Sequence, residues 1–198
     1  MGYRALRVIN DDQVIAGAGF GTHGHRDMEI LSYVLSGSLA HRDSMGTSSV
    51  IKPGELQRMS AGTGVEHSEF NASSTEPVHF LQIWILPECT GLVPSYQQKS
   101  FPLADRTNRF QRLADRTGSD GAITLHQDAS LSLANLTAGT SLRQILPAGR
   151  YAWLQVTQGV VHLGVHTLVA GDGVALFSEP LIDLTAGTDA ELLLFDLA

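Results

Sequence analysis

The sequence predicts an all-β chain built from two copies of one antiparallel barrel. Three observations carry that prediction. Short runs rich in β-branched and aromatic residues recur between Gly, Pro, Asn, Asp and Ser. No long stretch has the apolar spacing of an amphipathic helix. The order of strands and glycine turns in the first half returns, weakly, in the second.

Taken in order, the runs at 30–35 (ILSYVL) and 78–85 (VHFLQIWI) read as strands of the first copy. Between them Gly37 and the Lys52-Pro53-Gly54-Glu55 turn break the chain. In the second copy the strands are 122–125, 151–156, 159–163 and 191–195, with a Gly171-Asp172-Gly173 turn before the last. Arg106, Arg109, Arg112 and Arg116 recur at roughly helical spacing, but too few apolar residues lie between them to give a buried face. Pro87, Gly91, Pro94 and Pro102 interrupt the periodicity around the middle. The boundary is therefore expected there, with domains at 1–95 and 96–198.

Composition sets outer limits. The chain has 198 residues, of which 43% are apolar and 17% charged, enough to bury a core and too apolar for disorder. No apolar run reaches the roughly 18 residues of a membrane-spanning helix, so no membrane partner is expected. A net charge of -7 without a Lys/Arg tract speaks against direct nucleic-acid binding. One cysteine, Cys89, cannot form an internal disulfide, which points to a reducing, cytoplasmic setting. The start, Met1-Gly2-Tyr3-Arg4-Ala5, lacks the apolar region of a secretory signal, and Leu6 stands where myristoylation needs Ser or Thr. No nucleophile elbow and no Walker-type phosphate loop appear.

The chemistry concentrates in two pairs. His23 and His25 are two residues apart, and so are His67 and Glu69. Residues two apart on a strand share a face, so both pairs can converge inside a barrel. Three imidazoles and a carboxylate suit a divalent transition metal such as iron, manganese, nickel, copper or zinc, not calcium or magnesium. Two surface histidines on a glycine-rich loop are the plain alternative for the first pair. Glu29, four residues after His25, competes with Glu69 as the carboxylate.

Other residues carry competing readings. His79 shares parity with Leu81 and Ile83 and reads first as a core histidine. His41 with Asp43 reads as a strand-surface or turn pair, with a place bordering the pocket as the alternative. Trp84 and Trp153 read as barrel core. Met28, Met59 and Phe70 form either an apolar pocket wall or ordinary packing, and Cys89 reads as inert.

The segment His23-Gly24-His25-Arg26-Asp27-Met28-Glu29, closed by Gly37, resembles the first metal motif of the cupin superfamily, in the form found in pirins. The likeness continues through His41–Gly46, 57–71 (QRMSAGTGVEHSEFN), 80–87 (FLQIWILP), 126–129 (HQDA) and 170–173 (AGDG), spanning nearly the whole chain. It implies two tandem cupin barrels, with one metal in the N-terminal barrel and none in the C-terminal one. It places the ligands at His23, His25, His67 and Glu69, iron ahead of nickel, copper, manganese or zinc, and leaves Glu29 beside the site to orient an imidazole. In the family further residues precede the segment that opens this chain, so the N-terminal barrel is expected to lack the usual first strands. The resemblance implies a quercetin 2,3-dioxygenase, which opens the central ring of a flavonol with dioxygen and releases carbon monoxide. Glu69 would loosen from the metal and take the substrate's proton, making it the catalytic residue. The alternative is a metal- and redox-sensing regulatory protein that binds a transcription factor or a metabolic enzyme.

Overall fold

The computed structural model describes residues 2–198, and Met1, the first residue of the segment read for a leader, lies outside them. The chain divides into two compact units. Among the described residues, the first comprises 2–101 and the short segment Leu125–Gln127. The second comprises Pro102–Thr124 and Asp128–Ala198.

The strands of the first unit are β1 (Leu6–Val14), β2 (Gly19–His25), β3 (Glu29–Ser36), β4 (Leu39–Asp43), β5 (Ser48–Ile51), β6 (Glu55–Ser60), β7 (Val65–Asn71), β8 (Val78–Ile85) and β9 (Ser95–Ser100). They form two sheets, ordered β1-β8-β3-β6-β9 and β2-β7-β4-β5, with every pairing antiparallel. β3 and β8 each bury six of their eight residues, and they are the two runs whose β-branched and aromatic content stands out in the sequence. Val34, Leu39, Ile51, Val78 and Phe80 pack one end of the core, and Ile30, Met59, Ala61 and Val65 another. β7 alternates strictly, with Val65, His67, Glu69 and Asn71 buried and Glu66 and Phe70 exposed. That period of two sends both members of the His67/Glu69 pair inward.

At the turn into β4, Gly37 has φ +78°. A Cβ at that position would stand 2.5 Å from the carbonyl oxygen of Pro77, so the close approach needs glycine. The sequence places the domain boundary after residue 95. In the structure β9 pairs with β6 from Ser95 to Ser100 and stays with the first unit.

The second unit holds α1 (Leu103–Arg106), β10 (Gln111–Asp115), a 3-10 turn at Ser119–Gly121, β11 (Ile123–Thr124), β12 (Ala129–Leu136), β13 (Ser141–Ile145), β14 (Tyr151–Gln158), β15 (Val160–Leu163), β16 (His166–Val169), β17 (Gly173–Phe177), β18 (Leu181–Ala186) and β19 (Ala190–Leu197). Its sheets run β11-β10-β12-β19-β14-β17 and β13-β18-β15-β16. Leu154, Val156, Val161, Leu184, Leu192 and Leu194 belong to its core. Each unit is thus a two-sheet barrel of the cupin type, as the family resemblance implies. The arginine row is not one helix. α1 ends at Arg106, whose guanidinium donates to Glu191 at 3.0 Å and Asn135 at 2.6 Å, and Arg112 falls on β10.

Candidate metal centre

β7 lies between β2 and β4, and this three-strand row builds the site. Across the β2–β7 ladder His23 stands opposite His67. Across β4–β7 His41 stands opposite Glu69 and Asp43 opposite His67. Partners across an antiparallel pair share a face, so the row delivers its inward side chains to one region. The rings of His23, His25 and His67 lie with centroids 4.5 to 4.8 Å apart. One nitrogen from each of these three falls within 4.8 Å of the others. A second group, His41, His67 and Glu69, meets the same limit, so His67 belongs to both. Both groups lie in the first unit.

The side chains are prepared for a cation. The Nδ1–H of His23 donates to the carbonyl of Gly21 at 2.8 Å, leaving Nε2 with a lone pair. His25 Nε2 and both nitrogens of His67 are buried without a hydrogen-bond partner. Burial, then the neighbouring rings of His23, His25 and His41, push the His67 imidazole down to about 3. Burial and the charge of His23 lower His25 as well. Both are therefore neutral near pH 7 and offer lone pairs rather than positive charge. Orphaned buried nitrogens are costly unless a partner joins them, and a transition metal is the partner this donor set fits.

Glu69 is fully buried. Its Oε1 accepts from Ser32 Oγ at 3.0 Å and its Oε2 from Gln82 Nε2 at 2.5 Å. Burial raises its carboxyl above the ordinary range, partly offset by Ser32, the nearby His41 and Gln82. Gln82 also accepts from the indole N–H of Trp84 at 3.0 Å, and that indole meets His25 edge-on with centroids 5.1 Å apart. One polar chain thus runs from Trp84 through Gln82 to the carboxylate.

The competing carboxylate lies elsewhere. Ser32 faces Glu69, and Glu29 is three residues earlier on β3, hence on the other face. Glu29 Oε2 accepts from the backbone N–H of His126 at 3.3 Å and from its Nδ1 at 3.2 Å, with Arg58 Nε at 4.0 Å. It holds an imidazole, but that of His126 rather than one of the cluster. His162 and His166 sit exposed on β15 and β16.

Several readings change. His41 is fully buried, not on the surface, and borders the site, with Nε2 3.0 Å from Asp43 Oδ2. Its signal in the sequence is faint, a single imidazole two residues before an acid. His79 is half-buried and paired with Asp11 across β1–β8, not a core residue. Met59 is core and Met28 packs against it, whereas Phe70 points outward from β7. Trp84 and Trp153 are half-buried rather than core, and Trp84 stands beside His25. Next to His25 a shallow depression of about 400 Å³ is lined by Arg26, Ser44, Val65 and Glu66 among others, a volume suited to a small molecule.

Comparison with known proteins adds independent findings. Residues 1–85 match the family model described as Pirin, and residues 113–197 the model described as Quercetinase C-terminal cupin domain. A protein of Escherichia coli (strain K12) named quercetin 2,3-dioxygenase is 48% identical over 198 residues, covering 100% of this chain and 84% of its own. The crystal structure of YhhW from Escherichia coli matches with a TM-score of 0.95 at 45% identity, covering 100% of this chain and 83% of that one. A crystal structure of bacterial pirin YhhW from Escherichia coli in complex with nickel(II) matches with a TM-score of 0.94 at 45% identity, covering 100% and 84%.

Proposed function

We propose a function for this chain from one premise: it belongs to the pirin family. The chain is a metal-dependent quercetin 2,3-dioxygenase that cleaves a flavonol with dioxygen at a mononuclear site. The observation that carries the reading is the meeting of His23, His25 and His67 with unpartnered buried nitrogens, beside the buried carboxylate of Glu69. The names of the E. coli relative and of the nickel(II) complex support it.

The metal ligands in this reading are His23, His25, His67 and Glu69. Iron is the ion of this proposal, and nickel, copper, manganese and zinc suit the same donors. When bound, such an ion acts as a Lewis acid that lowers the pKa of a chelating hydroxyl. The rest is work for the protein. Gly21 fixes the His23 ring by accepting from Nδ1–H. Glu69, raised by burial, binds a proton more firmly than an exposed glutamate and takes the one lost by the flavonol hydroxyl. Ser32 and Gln82 keep its two oxygens in place during that transfer. The Trp84 indole stands edge-on to His25 and braces that imidazole. The single cysteine fits a reducing, cytoplasmic location.

The test is incubation of metal-loaded protein with quercetin, with and without air. Loss of flavonol absorbance with release of carbon monoxide is expected only in air. No aerobic turnover with any of the five metals overturns the reading. Metal analysis of His23→Ala and Glu69→Ala checks the ligands, because unchanged content in both would show the set to be wrong.

A further inference from the structure

Beyond the four ligands, His41 is built as a metal donor. It is fully buried on β4, across the ladder from Glu69. Its Nε2 lies 3.0 Å from Asp43 Oδ2, and a carboxylate only accepts, so Nε2 carries the proton and donates. Asp43 is itself fixed, since its Oδ1 accepts from the backbone N–H groups of Met45 and Thr47 at 3.0 Å each. The other ring nitrogen, Nδ1, therefore keeps a bare lone pair in the neutral ring. That nitrogen is buried and has no partner. The Tyr96 ring covers the imidazole at 5.1 Å between centroids and an angle of 31°, and its hydroxyl is tied to Ser49 at 2.6 Å and Gln98 at 2.7 Å. An imidazole locked by a carboxylate on one nitrogen, with a dry lone pair on the other, has the arrangement of a metal ligand and its orienting partner.

His41, His67 and Glu69 each bring a donor atom within 4.8 Å of the other two. His67 has unpartnered nitrogens on both edges of its ring. We propose that His41, His67 and Glu69 form an inner cation position, adjacent to the position of the four ligands His23, His25, His67 and Glu69 and sharing His67 and Glu69 with it. A neutral imidazole has one lone pair, so the two positions are occupied one at a time. The cation class is a divalent transition metal that accepts nitrogen donors, such as cobalt, nickel, copper or zinc. Glu69 is a ligand in both positions, and in the outer one it is the ligand that loosens to take a proton. The proposal needs only a metal-binding site, and its test reads metal rather than turnover, so its failure leaves the dioxygenase reading standing.

The experiment titrates cobalt(II) into the metal-stripped full chain and follows its visible ligand-field absorption. The His23→Ala/His25→Ala variant is expected to retain one cobalt per chain, with roughly 10- to 100-fold weaker affinity and a spectrum distinct from wild type. Adding His41→Asn is expected to remove that binding. Absence of cobalt binding in the double variant, or binding unchanged by His41→Asn, overturns the proposal. Should His41→Asn fail to fold, Asp43→Asn in the double variant decides instead. It leaves the ring in place and removes only the carboxylate that directs its lone pair. Weaker cobalt binding supports the inner position, and unchanged binding overturns it.

Discussion

Replacing Gln82 with Leu tests whether the polar chain behind Glu69 sets the affinity of the site. Gln82 is buried, and its amide is one of two side-chain donors to the carboxylate, at 2.5 Å. A hydrogen bond to a charged acceptor contributes about 1.5–3 kcal/mol. Leu fills a similar volume, donates nothing, and strands the indole N–H of Trp84, which Gln82 accepts at 3.0 Å. Removing a group that orients a ligand typically weakens metal binding by roughly 10- to 100-fold. At about 1.4 kcal/mol per tenfold, that range agrees with the lost bond. The direction with pH follows. Glu69 must be ionised to bind a cation, burial already raises its carboxyl, and Gln82 is one of the groups that offset the rise. Without Gln82 the carboxyl rises further, so the pH at which metal is half lost moves upward. Calorimetric titration of nickel(II) into metal-stripped protein measures both effects. A Kd within twofold of wild type, in a variant with unchanged circular dichroism, would refute the reasoning.

Three further outcomes concern stability. Burial alone would raise the Asp115 carboxyl, but donors from Ser119 and Thr117 hold it well below the usual carboxylate range. A depressed folded-state pKa stabilises above the unfolded value of 3.8, and the benefit is lost as pH falls through the folded one. Asp115→Asn is therefore expected to cost about 1–3 kcal/mol in urea unfolding at pH 7, with the difference from wild type shrinking below pH 3.8. Leu154→Ala empties a fully buried place in the second core and should cost about 2–5 kcal/mol by the same assay. Gly37→Ala meets both a positive φ and the Pro77 carbonyl. A loss of at least about 2 kcal/mol is expected, and a melting temperature equal to wild type would contradict it.

Much of the barrel was legible because periodicity and residue type agreed. β8 begins at Val78 and ends at Ile85, the bounds of the run read from its β-branched and aromatic content. By contrast, 122–125 shrinks to Ile123–Thr124, since Ala122 closes a 3-10 turn and Leu125 passes to the other unit. In the site, a spacing of two gives a shared face, and His23, His25 and His67 do come together, whereas Glu69 groups with His41 and His67. Glu29 showed where that rule stops. Asp27, at φ 50°, turns the chain between β2 and β3, so parity does not carry across it. His41 and Trp84 were misjudged for another reason. Their roles depend on which strand lies beside β7 and which side chain stands behind His25, and pairing between distant strands leaves no local trace.

The segment Leu125–Gln127 has a practical bearing on dissecting the molecule. Three residues from late in the sequence count as part of the front barrel, and one of them supplies both donors to an otherwise inaccessible glutamate. No single cut in the gene therefore yields that barrel both whole and free of residues from the second unit. A fragment stopping near residue 101 would carry Glu29 stripped of those donors, so weak expression or poor solubility of such a piece would reflect a severed tie rather than an inherently unstable metal-binding half.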